Sequence, residues 1–225
     1  MLTEFFLRAT NVGAEWVLWG LVLLSIISVG MIVERVLYFR RNKVDAEQLG
    51  SQLELRLQNG DVRGANELVQ GATSIECKVV AAGLSEITRG AQVCGEAMLS
   101  VKARERRYLD QSLAVLGSIG SNAPFVGLLG TVLGIIKAAH DLVGATPGAA
   151  SDPNAVMAGV FEALVATAVG LFVAVPAVLS FNYFQRQVKV TLLQTDALAH
   201  LVLSRCAIVV AARQRAANSV ASSGS

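Results

Sequence analysis

The sequence predicts an all-α membrane protein: three transmembrane helices, long cytoplasmic helical extensions of spans two and three, and a short amphipathic N-terminal helix on the outer face. Three observations carry this. Hydrophobic residues make up 53% of the 225-residue chain and the mean hydropathy is +0.54, above the range of soluble domains. Residues 16–33, 111–136 and 155–184 form long apolar runs, and together they contain one charged residue, Glu162. At about 1.5 Å per helical residue such runs are long enough to cross a hydrocarbon core roughly 30 Å thick. Of the 19 Lys and Arg, 17 fall in the two segments, 34–110 and after 184, that three spans leave on one side. The positive-inside rule assigns that side to the cytoplasm and the N-terminus to the outside of the membrane.

Each element follows in order. Within residues 1–15, the stretch LTEFFLRA reads as a helix lying on the outer face of the membrane. A cleaved leader would need a basic start, and Glu4 and Glu15 outnumber Arg8. Span one, residues 16–33, is rich in Leu, Ile and Val and suits contact with lipid. Residues 34–110 form a cytoplasmic helical domain. Its first helix carries Val44, Leu49, Leu53 and Leu57 at helical spacing, and Gly60-Asp61 breaks it before the short helix VRGANELV. Thr73 or Ser74 caps the next, which carries Ile75, Val79, Leu84 and Ile87. Neither Pro nor Gly separates Glu96 from span two at 111–136, so one helix runs from this domain into the membrane. Residues 137–154 form a periplasmic loop closed by Asp152-Pro153, an N-cap followed by a favoured first helical residue. Span three covers 155–184. In the cytoplasmic helix 185–215, Val188, Leu192, Thr195, Leu198, Val202, Cys206 and Val209 recur every three or four residues, a stripe to be packed on neighbouring helices or another subunit. Residues 216–225, AANSVASSGS, read as a disordered tail.

Small residues mark spans two and three. Gly120, Gly127, Gly130 and Gly134 fall on one side of span two, and Ala166, Gly170 and Ala174 on one side of span three. Such stripes let membrane helices approach closely, for helix packing or around a pore. Pro124 and Pro176 lie inside these spans and favour bends there. Glu162 lies about two and a half turns into a helix begun at Pro153. An acid in lipid is costly, which makes it a functional candidate; the plainer alternative is an interface marker. Cys77, Cys94 and Cys206 all fall on the cytoplasmic side as reduced thiols, and with only His140 and His200 beside them no metal motif forms. No phosphate loop, H-E-x-x-H or nucleophile elbow is present, so no enzyme, no catalytic residue and no cofactor is expected, and three spans hold no inverted transporter repeat. Nothing in the charge pattern calls for nucleic acid.

The run from Pro124 through Gly127, Gly130, Thr131 and Gly134 to Ile136, followed by Glu162 through Thr167, Gly170 and Pro176 to Ala177, resembles the ExbB/TolQ branch of the MotA/TolQ/ExbB proton-channel family. The resemblance extends over about residues 5–210, although the 137–154 loop is longer and more irregular than the family's usual turn. It implies a subunit of an inner-membrane proton channel or motor stator, with protons as the transported ion. It implies a homo-oligomer, a pentamer, around a pair of ExbD/TolR-like single-span partner helices that carry a membrane Asp. By position it makes Thr131 and Thr167 the hydroxyls, and Glu162 the acid, of the proton pathway. Thr167 lies five residues after Glu162, roughly 140° around the helix, so both border a cavity without sharing a face. For each hydroxyl the alternative is a bond to its own helix backbone. A passive membrane scaffold stays open as a second function, and so does the identity of the machine driven: import, envelope constriction or gliding.

Overall fold

The computed structural model describes residues 15–143 and 153–223. The N-terminal amphipathic helix, most of the 137–154 loop and Asp152 lie outside the described residues. Every regular element among the described residues is helical: α1 (Glu15–Arg41), α2 (Ala46–Gln58), α3 (Val62–Val69), α4 (Ile75–Glu86), a short 3-10 turn (Ile87–Arg89), α5 (Ala91–Val143) and α6 (Pro153–Ser223). Three helices are long and apolar enough to cross a membrane; the window in α5 is the most buried and that in α1 the least. Pro124 and Pro176 sit inside continuous helices.

The chain divides into two compact units. Unit 1 holds residues up to Arg35 and Ser112–Phe184, and so contains the three apolar runs but for Gln111, the first residue of the second. Here α5 and α6 pack through their small residues. Added Cβ atoms mark the seam: at Gly134 one would meet Ala163, at Gly130 Ala166, at Gly127 the backbone of Ala166, Thr167 and Gly170, and at Gly120 Val178. Larger side chains would hold the helices further apart. From α1, Val17, Leu21, Ser28 and Arg35 are buried, at spacings of four and seven that give one face, while Trp19, Leu23, Ile26 and Val29 are exposed. The Arg35 guanidinium, 1% exposed, donates to the Ser112 hydroxyl and lies 3.5 Å from Glu34.

Unit 2 holds Val36–Gln111 and the chain from Gln185. Its caps explain its boundaries. Asp45 accepts from the amides of Glu47 and Gln48 at the start of α2. Asp61 accepts from Gly64 N at 2.8 Å at the start of α3 and pairs with Arg56 at 2.8 Å; that amide, then the guanidinium, hold its carboxyl below the ordinary range. Ser74, the second of the two sequence candidates, caps α4 by accepting from Cys77 N. Gly90, at φ +109°, turns the chain from the 3-10 segment into α5 in a conformation that side chains with a Cβ rarely adopt. The α6 stripe packs here: Leu198 touches the space above Gly50, Lys102 pairs with Asp196 at 2.5 Å, Arg205 with Glu54, and the Cys206 thiol donates to the Ile87 carbonyl at 3.2 Å. The helix also continues to Ser223, through most of the stretch expected to be a disordered tail. Ala-rich sequence with no Pro or Gly before Gly224 favours helix over coil.

Candidate functional site

The candidate pathway residues gather on one stretch of the α5–α6 seam. Gly130 and Ala166 face each other, and the next residue on each helix is a threonine, Thr131 and Thr167. One turn along, Gly134 faces Ala163, whose neighbour is Glu162. The seam therefore brings Thr131, Thr167 and Glu162 to within about two turns on two antiparallel helices. Thr131 is 9% exposed, and its hydroxyl donates to the Leu128 carbonyl of its own helix at 2.7 Å. Thr167 differs: its hydroxyl is buried and has no hydrogen-bond partner among the described residues. A buried hydroxyl left without a partner costs about 1–3 kcal/mol, so Thr167 is the place on this seam where a water or a group from outside the chain has most to gain. Glu162 is half-buried between exposed Phe161 and fully buried Ala163, and makes no ion pair or hydrogen bond among the described residues.

The glycine and alanine stripes are taken up by each other. Gly120, Gly127, Gly130 and Gly134 lie against α6, Ala166 and Gly170 lie against α5, and Ala174 is buried. The seam thus explains the stripes as helix packing inside one chain. Among the described residues no three His, Cys, Asp or Glu side chains cluster to hold a metal, and the three cysteines are buried free thiols. Burial raises the thiols of Cys77, Cys94 and Cys206, Cys94 to about 11.

Two buried charged residues escaped the sequence reading as anything more than charge. Arg35 counts there only toward topology, although the spacing of Val17, Leu21, Ser28 and Arg35 already sets it on the inward face of span one. Glu76, 4% exposed in the first turn of α4, carries no motif; its only signal is its place beside Ile75 in a helix whose buried residues also include Val79, Val80 and Leu84.

The MotA/TolQ/ExbB proton channel family matches residues 71–197, more than half of the chain. The chain belongs to this family. Within it, the sequence is 41% identical over 118 residues to the biopolymer transport protein ExbB of Xanthomonas campestris pv. campestris, covering 52% of this chain and 46% of that one. It is 45% identical over 98 residues to ExbB of Neisseria gonorrhoeae, covering 44% and 43%. It is 46% identical over 88 residues to the Tol-Pal system protein TolQ of Pseudomonas aeruginosa, covering 39% and 37%. These relatives support the ExbB/TolQ branch of the MotA/TolQ/ExbB family. The chain spans about half the length, or less, of each of them.

Proposed function

We propose that this chain is the proton-channel subunit of an inner-membrane motor, coupling the proton motive force to mechanical work on a periplasmic or outer-membrane system through a single-span partner. Family membership supports the class of function. The observation that carries the site is the buried, unpartnered hydroxyl of Thr167 on the same seam as Glu162, the one acid of the apolar runs. In this reading Glu162 and Thr167 border a wet route, with Thr131 beside it. Passing a proton requires exchangeable groups within hydrogen-bond reach, directly or through water. The spans supply one acid and neutral hydroxyls, so the deeper exchanging acid belongs to the partner, an Asp on a helix inserted among a ring of these subunits, most simply five. The N-terminus is periplasmic and the C-terminus cytoplasmic, following the charge asymmetry.

Glu162→Gln tests this, because it keeps size and removes the exchangeable charge. The variant is expected to reach wild-type level and assemble with the partner, yet lose proton flux in liposomes that hold both proteins. Undiminished flux refutes the role given to Glu162. A passive scaffold is the second reading. It draws support from stripes spent inside the chain and from the Thr131 hydroxyl, which bonds its own helix. Absence of flux from the wild-type complex would favour it.

A further inference from the structure

Unit 2 contains a titratable group that the proposed transport route does not use. Glu76 is the second residue of α4 and is 4% exposed. Its side chain borders a cavity of about 10 Å³, roughly the room one water needs. The rest of the lining comes from Ile75 beside it on α4 and from all three long helices or their ends: Tyr38 and Phe39 of α1 with Asn42 just after it, Leu109 of α5 and Thr191 of α6. These positions lie just beyond the ends of the three apolar runs in the sequence.

The cavity offers polar groups but no cation. On α1, the buried Arg35 donates to Ser112 of α5 and Arg40 and Arg41 are exposed, as is Lys43 just after the helix. On α4, Lys78 pairs with Glu105 of α5 at 2.9 Å. On α5, Arg106 pairs with Asp110, while Arg104 and Arg107 are exposed. On α6, Arg186 and Lys189 are exposed. None of these lines the cavity, and Tyr38 is the other titratable side chain that does. A carboxylate held here would be 4% exposed with no cation lining the cavity, and burying an unpaired charge is costly, so the neutral acid is the form that fits. Burial accordingly pushes the Glu76 carboxyl above its ordinary 4.5, opposed only by its own amide and the Ser74 hydroxyl.

We infer that Glu76 is a proton-binding switch in unit 2: neutral, it lets the first turn of α4 stay docked among α1, α5 and α6, and ionised, it releases that turn to water. The chemistry is a simple exchange. On opening, the carboxylic acid gives its proton to water; on closing, it takes one back. The sign follows from the raised docked value. Docking is strongest below about pH 4.5, weakens as pH rises above it, and levels off once pH passes the docked value. The switch stands apart from the transport reading, since it needs neither a partner nor proton flux.

Hydrogen exchange of the full chain in detergent tests it, comparing wild type with Glu76→Gln. The peptide covering residues 74–86 is read between about pH 5 and pH 8, and the variant corrects for the chemical exchange rate. The wild-type rate divided by the variant rate is expected to climb by up to about tenfold per pH unit inside the window. A ratio that does not change with pH overturns the inference. Should Glu76→Gln fail to fold, wild type alone decides. Exchange of 74–86 is then compared with that of 46–58 in the same sample. A ratio rising with pH supports the switch, and a constant ratio overturns it.

Discussion

Gly127→Ala is the sharpest test of the α5–α6 seam. An added Cβ would lie 2.8 Å from the Ala166 carbonyl oxygen, 3.1 Å from the Thr167 Cα and 3.2 Å from the Gly170 Cα. All three are backbone atoms, so no side-chain rotation relieves the contact. Ordinary contact begins near 3.4 Å, so α5 and α6 must part by roughly 0.6 Å at this level. Overpacking of this kind costs about 1–3 kcal/mol. Alanine returns up to about 1 kcal/mol through its better helix propensity. With the full return the net loss is about 0–2 kcal/mol, up to about a thirty-fold fall in the folded-to-unfolded ratio. Gly30→Ala in α1 is the control, because nothing lies within 4 Å of its added Cβ; it should be neutral or slightly stabilising. Thermal unfolding of both purified variants in one detergent gives the comparison. Equal midpoints for Gly127→Ala and Gly30→Ala would refute the close approach of the two helices.

The two threonines should separate in function. Thr167→Val removes a hydroxyl that has no partner among the described residues and is expected to slow ion-coupled work at normal protein level; Thr131→Val removes one that bonds its own helix and should have the smaller effect. Equal losses, measured as proton flux with the partner present, would count against this ordering. The three thiols should resist alkylation in the folded protein at about pH 8, since they are buried and titrate high, and should label fully after denaturation. Mass spectrometry of iodoacetamide-treated chain reads this directly. Purified chain reconstituted alone should pass protons slowly, because its apolar runs hold a single acid; a pH-sensitive dye inside liposomes would reveal fast, specific flux if that reasoning fails.

Local rules read well from this sequence, and partners across space read poorly. The apolar runs, the break at Gly60-Asp61, the VRGANELV helix and the Ser74 cap all rest on residues a few positions apart, and each appears in the structure. Helical spacing also gathered the small residues of spans two and three onto faces. It could not say what those faces touch, and the structure sets them against each other. The same limit hides the contrast between the hydroxyls. Thr131 and Thr167 are alike in sequence, and only packing leaves one bonded and the other without a partner. Arg35 and Glu76 were hidden for a related reason. A charged residue is read as a solvated one until its neighbours from other helices are known, and the cavity around Glu76 draws on α1, α5 and α6 together.

The order of synthesis gives unit 2 a further significance. Its first part, Val36–Gln111, leaves the ribosome early, and its second part, from Gln185, leaves last, after two apolar runs have been made. Until then Glu54 lacks Arg205, Lys102 lacks Asp196, Gly50 lacks Leu198 and the Ile87 carbonyl lacks the Cys206 thiol. The early helices must therefore wait, half-covered, for the end of the chain. Unit 2 can therefore be completed only after both later runs have been made. A chain that stops before Gln185 lacks every one of these contacts.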